Sequence, residues 1–331
     1  YYLKWEKVVE YASEVLGSAP STVMRDWAAV KQLAWDGSVR TLDYISVGHS
    51  FNLLMIPMVT GNGSLFNAWS NSGARFTHNY RVAKRETYRA KRPMGGPWDR
   101  WKDNCIEKVY QHPPFIWQDN DVNKIYMPKW PNQWGVTDPV TGVGIGRSTM
   151  VAFTTNETVL SRAEAYVHLK EYDKAVADLN AWIGSFYLVG QNGIESLTRE
   201  RIAEVYGDPS SDRYIAEYTA LEPTSRKPLH PHGFTVEAGE QEHLIQTTLF
   251  CRRIETIADG LRWGDIKRYG IVIDRFDDSA YNDDNTTGFT VAATLGEKDL
   301  RRALQLPQEV ITAGLEANPR NENRPDHPFC Q

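Results

Sequence analysis

The pattern of apolar positions predicts a helix-rich chain. Between residues 156 and 186, apolar side chains recur at the three- and four-residue spacing of one helix face, and Lys170 and Glu171 interrupt the pattern at a predicted turn. The positions that carry this pattern are Leu160, Ala163, Tyr166, Val167, Ala175, Leu179 and Trp182. The segment therefore predicts two antiparallel helices joined by a short turn.

This predicted hairpin looks like one tetratricopeptide repeat, in which a small residue lets two helices approach and aromatic side chains fill the remaining gaps. Residues 1–20 carry the second half of another repeat, with Pro20 as the stop. A lone repeat half cannot bury its apolar face, so we expect a partner helix before Tyr1 and an N-terminally truncated chain. The positions with the same relative spacing as Tyr172, Ala175, Leu179 and Trp182 are Trp5, Val8, Ala12 and Val15.

The region between the repeats is less regular. Residues 23–34 read as a helix, and residues 44–59 are compatible with either a strand or a short buried helix. Residues 93–146 are rich in Pro, Gly, Trp and Asn and predict long ordered loops, which are usually functional in a compact domain.

A second strong helical segment covers residues 237–268, with a break near Gly260 and a short helix beyond it. The tail is polar and turn-rich, with an apolar island at residues 303–311. We therefore predict a mainly α fold: tetratricopeptide-like helical repeats forming an α-α superhelix, with long irregular loops, in one domain over residues 1–331. Its predicted segments are a repeat half (1–20), a loop-rich ligand region (21–155), a repeat helix pair (156–186), signature helices (237–270) and a C-terminal tail (271–331).

Charge, cysteine spacing and hydropathy limit the classes of ligand and partner that the sequence supports. The net charge is −5, which argues against nucleic acid as a partner because phosphate binding needs clustered Lys and Arg. The basic run from Arg81 to Arg92 is interpreted as a solvated face. Cys105, Cys251 and Cys330 show no metal or disulfide spacing, and no apolar run reaches the roughly 18 residues of a membrane span.

Two stretches resemble one known family. Residues 252–255 (Arg-Arg-Ile-Glu) lead into residues 259–270 (Asp-Gly-Leu-Arg-Trp-Gly-Asp-Ile-Lys-Arg-Tyr-Gly). Residues 304–311 (Leu-Gln-Leu-Pro-Gln-Glu-Val-Ile) precede Asn318 and Pro319. Both are similar to motifs of the SusD/RagB family, although Leu261 stands where that family commonly has His and Tyr269 where it commonly has Trp.

The resemblance implies a surface receptor. Family members are α-helical lipoproteins on the outer face of the outer membrane of Bacteroidetes-type bacteria. They cover a SusC-like TonB-dependent transporter and bind oligosaccharides, or in some cases peptides, without cleaving them. The resemblance implies the same location and partner for this chain, with membrane attachment only through a lipid anchor that is absent from it.

The candidate ligand residues are aromatic side chains interleaved with amides in the loop-rich region. Aromatic faces stack on the C–H face of a sugar ring, and polar side chains bind its hydroxyl groups. The residues chosen on this basis are Trp98, Trp101, Trp117, Tyr126, Trp130, Trp134, Asn132, Phe66, Asn67 and Trp69.

Catalytic and metal-binding interpretations have less support. The chain lacks HExxH, GxSxG and Walker motifs, and acidic pairs suitable for a glycosidase are too common in it to be informative. His230 and His232 are interpreted as a surface turn, and two Asp-rich stretches at residues 119–123 and 283–294 as solvated turns, since neither completes a calcium loop.

We predict a non-enzymatic glycan-binding protein without a cofactor or metal. Three competing functions stay open at the level of sequence. They are a peptide-binding member of the same family, a helical-repeat protein-interaction scaffold and an α-helical glycoside hydrolase.

Overall fold

A computed structural model describes residues 3–33, 37–59, 78–97, 117–119, 124–126, 133–277 and 290–320. The protein is helix-rich but mixed, with 42% helix and several strands, and a repeat superhelix is not shown. The prediction of a mainly α fold is therefore confirmed only in its helical content. The chain divides into two compact units, one of residues 1–226 and 236–262 and one of residues 227–235 and 263–331.

The helices of the described residues follow one another in chain order. They are α1 (Trp5–Leu16), α2 (Trp27–Gln32), α3 (Gly37–Tyr44), α4 (Tyr80–Glu86), α5 (Thr155–His168), α6 (Tyr172–Phe186), α7 (Arg199–Gly207), α8 (Glu240–Glu255), α9 (Arg262–Arg268) and α10 (Gln308–Thr312). None of them has both the length and the apolar composition needed to cross a membrane. Two 3-10 turns cover Pro20–Thr22 and Leu300–Arg302.

The strands form three small antiparallel sheets. They are β1 (Asn52–Val59), β2 (His78–Asn79), β3 (Trp117–Asp119), β4 (Lys124–Tyr126), β5 (Gln133–Val136), β6 (Gly144–Thr154), β7 (Ile273–Asp277) and β8 (Thr290–Leu295). Among the described strands the sheet orders are β1-β6-β5, β2-β4-β3 and β7-β8. The predicted long loops of residues 93–146 thus contain short strands.

Helices α5 and α6 form the predicted hairpin. The Thr154 hydroxyl caps α5 by accepting a hydrogen bond from the Glu157 backbone N–H at 3.1 Å. Lys170 adopts a φ of 61° between the two helices, at the predicted turn. Ala163, Ala175, Leu179 and Trp182 are fully buried, as the periodicity predicted.

Helix α1 packs against α5, which gives part of its apolar face a partner. Ala12 and Leu16 are buried, and the Trp5 ring stacks on His168 with centroids 4.1 Å apart. Val15, which the repeat pattern matched to the buried Trp182, is instead exposed. The sequence match between the two segments therefore predicts the helix but not all of its buried positions.

Buried polar contacts tie the helices of the first unit together. Arg162 on α5 makes a bidentate ion pair with Asp178 on α6, both bonds being 2.7 Å, and also donates to the Ser13 hydroxyl on α1 at 3.2 Å. On α8, Arg252 donates to Glu164 of α5 at 2.6 Å. Trp182 donates its indole N–H to Glu255 at 2.8 Å. These contacts leave α8 enclosed along most of its length.

The second unit contains the signature's end and the tail. Asp265 on α9 is buried and accepts a bond from Arg268 at 2.9 Å. The buried Arg302 donates to the Gly296 carbonyl at 2.7 Å and the Ile266 carbonyl at 2.8 Å, which joins α9 to the residue that follows β8. Gln305 clasps the backbone of Asn318 through two bonds of 2.9 and 3.1 Å, so the two halves of the closing motif meet.

Candidate functional site

Most of the predicted ligand residues lie outside the described residues. These are Phe66, Asn67, Trp69, Trp98, Trp101, Trp130 and Asn132. For Trp117 and Tyr126 the structure gives the backbone position: they are paired directly opposite each other in the antiparallel β3–β4 ladder. Trp134 on β5 is the one predicted ligand residue whose side chain is described.

Trp134 is an exposed indole on a β-hairpin. The residue is 64% exposed, and it pairs with Gly146 on β6. The indole Nε1 lies 3.4 Å from the Gly142 carbonyl oxygen, which it faces as a donor. An aromatic ring that is both exposed and held by its edge offers a flat apolar surface to a ligand.

The turn between β5 and β6 is closed by Asp138. One carboxylate oxygen accepts from the Val140 N–H at 2.8 Å, and the other accepts from the Thr141 hydroxyl at 2.6 Å. The Thr141 hydroxyl and the two backbone N–H groups at Val140 and Thr141 hold the pKa of Asp138 below its usual value. The carboxylate is therefore ionised at neutral pH and is engaged by its own turn.

Two glycines let large side chains approach the backbone closely on the two faces of this hairpin. A Cβ built at Gly144 would lie 2.7 Å from Nε1 of Trp134, and a Cβ built at Gly135 would lie 2.7 Å from Cδ of Arg147. Because successive residues of a strand point to opposite faces, the indole and the guanidinium occupy opposite sides of the sheet. Sequence reasoning assigned residues 93–146 to long ordered loops and did not identify either of these close approaches.

The same sheet exposes apolar side chains on its longer strands. Phe153 on β6 is 51% exposed and is paired with the exposed Leu54 on β1, while Ile56, two residues further, is also exposed. The prediction left residues 44–59 open between a strand and a short buried helix, and the structure places a largely exposed strand there. Exposed apolar side chains grouped on one sheet are typical of a binding surface.

The connection into the candidate region is fixed to the helical scaffold. The Glu195 N–H donates to the Met94 carbonyl at 2.9 Å, and Gly95 forms a β-bridge with Ile194 in the α6–α7 connection. Gly95 has a φ of 84°, a conformation that favours glycine. Residues 94 and 95 are therefore held to the α6–α7 connection by backbone contacts.

The interpretation of the basic run from Arg81 to Arg92 as a solvated face is wrong for three of its side chains. Arg81, Arg89 and Arg92 are buried. Arg81 donates to the Ala220 carbonyl at 2.7 Å and Arg92 to the Pro97 carbonyl at 3.0 Å. Backbone carbonyls of irregular segments accept these hydrogen bonds from Arg81 and Arg92, and a charge pattern in the sequence does not reveal such partners.

The described side chains provide no cluster of three or more His, Cys, Asp or Glu that would hold a metal ion. His230 and His232 both donate their backbone N–H groups to the end of α9, at Tyr269 and Arg268. The two Asp-rich stretches considered for calcium lie mostly outside the described residues; Thr294 of the second lies on β8 and donates its hydroxyl to Asp274 at 2.7 Å.

Of the three cysteines, Cys251 lies among the described residues. It is a free, fully buried thiol on α8, and burial raises its pKa far above the usual value. Such a thiol is inert at neutral pH, so it contributes packing and not chemistry.

Comparison of the chain with protein-family models, with curated proteins and with solved structures finds no match. The SusD/RagB resemblance therefore depends on the two sequence stretches that carry it, residues 252–270 and 304–319.

Proposed function

We propose that this protein is a cell-surface glycan-binding protein of the SusD/RagB type, which captures an oligosaccharide or polysaccharide and delivers it to a TonB-dependent outer-membrane transporter. The observation that carries the proposal is the open indole of Trp134, fixed on a hairpin at the edge of a sheet. Binding by stacking and hydrogen bonding requires no catalytic group, so the protein releases its ligand chemically unchanged.

The folded form of the two family-like stretches supports the assignment. Helix α8 ends at Glu255, and the turn that follows it contains Gly260, which has a φ of 79°. Helix α9 ends at Arg268, two residues before Gly270, which has a φ of 59°. The Gln305–Asn318 clasp brings the two parts of the closing stretch together. The glycines of the first stretch and the glutamine and asparagine of the second thus each have a local structural role.

A second candidate is capture of a peptide. The exposed Leu54, Ile56 and Phe153 favour it, since aliphatic and aromatic side chains accommodate apolar peptide side chains better than hydroxyl-rich sugars. A peptide ligand would leave the proposed transporter partner and the absence of catalysis unchanged.

Gel retardation in native gels cast with individual polysaccharides tests the main proposal. We expect at least one polysaccharide to retard the wild-type protein, and Trp134→Ala to lose much of that retardation. Tyr11→Ala is a matched control, because Tyr11 is an exposed aromatic residue on helix α1. A flat response across the panel, together with binding to an apolar peptide library, would favour the peptide candidate.

Two further observations distinguish a glycan receptor from a glycoside hydrolase and from a protein-interaction scaffold. Product analysis after long incubation should show no new reducing ends, and sustained hydrolysis would make the protein a glycoside hydrolase. If the protein binds neither glycans nor peptides, it is better described as a protein-interaction scaffold. The reading frame next to its gene should encode a TonB-dependent transporter.

A further inference from the structure

The position of the Trp134 indole depends on the absence of a side chain at Gly144. A Cβ at Gly144 would stand 2.7 Å from Nε1 and 2.9 Å from Cε2 of that indole, both closer than packed atoms approach, and would also meet the Gly135 carbonyl. The indole therefore lies directly against the main chain of β6, and its N–H faces the Gly142 carbonyl at 3.4 Å. The edge of the ring that contains Nε1 and Cε2 lies against backbone, while the residue remains 64% exposed to solvent.

Among the described residues, no side chain near this ring offers an unbound charged group to a ligand. Val136, two residues along β5 and thus on the same face, is exposed and apolar, and its partner across the ladder is Gly144 itself. Arg147 lies over Gly135 on the opposite face of the hairpin. The Asp138 carboxylate is bound by backbone N–H groups and a hydroxyl of its own turn.

These contacts define the chemistry of a ligand that stacks there. An uncharged pyranose has a C–H face that packs on an aromatic ring and needs no cation beside it. A uronate would bring a carboxylate to a face where the described side chains offer no cation, and it would lose hydration without a compensating partner.

We propose that Gly144 is a positioning residue which holds the Trp134 indole against β6 as a stacking platform for an uncharged pyranose ring. This inference rests on the proposed glycan-binding function and adds to it the ligand class and a second residue that controls binding. Gly144 acts through the indole and needs no contact with the ligand.

The test uses the protein labelled with 5-fluorotryptophan, with the Trp134 resonance assigned from the Trp134→Phe variant. Cellohexaose, xylohexaose and maltohexaose serve as neutral probes and hexagalacturonate as the charged probe. We expect at least one neutral hexasaccharide to shift the Trp134 resonance, and hexagalacturonate to bind at least tenfold more weakly than that neutral probe. Hexagalacturonate binding through Trp134 with equal or higher affinity would overturn the ligand class.

Gly144→Ala tests the positioning role, and Gly135→Ala is its control on the other face of the same hairpin. We expect Gly144→Ala to move the Trp134 resonance without ligand and to weaken neutral binding about tenfold, comparable to the loss of a good aromatic contact. The three atoms nearest to a Cβ at Gly135 all belong to the flexible Arg147 side chain, so Gly135→Ala should leave affinity within about twofold.

A double-mutant cycle separates positioning from general damage. Gly144→Ala should cause no further loss of affinity in the Trp134→Ala background. Equal losses in both backgrounds would make Gly144 a structural residue only. If Gly144→Ala does not fold, Trp134→Phe replaces it: the phenyl ring lacks the indole N–H that faces Gly142, so binding should weaken about threefold, and unchanged affinity would overturn the positioning role.

The outcomes also distinguish this inference from the proposed function. Glycan binding that leaves the Trp134 resonance unmoved would refute the platform while glycan capture stands. If no glycan binds the wild-type protein, both fail.

Discussion

At the scale of single residues, Arg25 illustrates how this protein buries a charge. Its guanidinium carbon lies 4.1 Å from the Phe51 ring centroid and 4.4 Å from that of Tyr44. One nitrogen donates to the Asn52 side-chain oxygen at 2.9 Å. Burial lowers the pKa of Arg25, and the surrounding rings and oxygens keep it charged. The side chain thus fixes the start of β1 against the helices before it.

The buried Arg162–Asp178 pair should be the most sensitive ionic contact between α5 and α6. Arg162→Met leaves a buried carboxylate without its cation and should lower the free energy of unfolding by about 3–5 kcal/mol. The double variant Arg162→Met, Asp178→Leu should recover most of that loss, because it removes both charges. Urea unfolding of the three proteins measures the difference.

The exposed Lys170–Glu237 pair, whose Nζ and Oε1 atoms are 2.6 Å apart, is the matched control. Lys170→Met should leave the urea midpoint unchanged, since solvent screens this pair. A loss as large as that of Arg162→Met would show that burial does not set the strength of these contacts.

His243 should make stability depend on pH. Burial between α7 and α8 lowers its pKa, and Arg226 nearby also lowers it, while Glu242 and Glu240 oppose the shift. The unfolded chain therefore takes up the proton at a higher pH than the folded protein, so stability falls as the pH drops through about 6.5.

His243→Gln should reduce the loss of unfolding free energy between about pH 7.5 and about pH 5.5, the range that brackets the ordinary histidine pKa. Chemical denaturation of both proteins at the two pH values measures this, and His232→Gln is the reference for a histidine in a solvent-accessible turn. The same pH dependence in the wild type and in His243→Gln would contradict the assignment to His243.

At the scale of elements, the two glycines on either side of α9 have different structural roles. Both have a positive φ, 79° at Gly260 and 59° at Gly270. A Cβ at Gly260 would meet open space, whereas a Cβ at Gly270 would meet the His230 carbonyl and lie 2.9 Å from the His230 Cβ. The final glycine of the family-like stretch is thus required by a close approach of backbone as well as by its conformation.

Alanine substitution separates these two requirements. Gly260→Ala should cost about 1–2 kcal/mol through backbone strain alone. Gly270→Ala should cost about 2 kcal/mol more, because the methyl group also displaces His230. Thermal unfolding, and hydrogen exchange of the His230 N–H bonded to Tyr269, measure the two effects. Equal losses of stability at both positions would show that the backbone around His230 shifts to accommodate the added methyl group at little cost.

Helices were predictable here because their signal is local. The boundaries of α5, α6, α8 and α9 follow from apolar spacing within each segment, and the break near Gly260 occurs where the pattern ends. The pairing of β1 with β6 joins residues far apart in the chain, such as Asn52 and Thr154, and the apolar run of β1 shows no alternation. The sequence of β1 was therefore compatible with a strand or a short buried helix, and only its pairing with β6 distinguishes the two.

The β5–β6 hairpin had a signal that was available. Trp134 and Val136 alternate with Gly135 before the turn, and Val143 and Ile145 alternate with glycines after it. A turn rich in Asp, Pro and Gly between two alternating segments is typical of a hairpin. Assigning all of residues 93–146 to long loops concealed it.

At the scale of the whole molecule, the candidate site is partly defined. Trp134 is an exposed indole whose N–H faces the Gly142 carbonyl, and Trp117 and Tyr126 are register partners in the β3–β4 ladder. Residue type predicted these aromatics as candidates, but exposure and seating depend on Gly142 and Gly144, which no aromatic pattern contains. The remaining predicted ligand residues stay predictions.

Isothermal titration of the wild-type protein and of Trp134→Ala with the polysaccharide that retards the protein most strongly in native gels tests the central claim most directly. We predict saturable binding by the wild type and at least tenfold weaker binding by the variant, with the same unfolding midpoint for both proteins. Identical affinities for the two proteins, or no heat of binding for any glycan that the wild type is offered, would contradict the account.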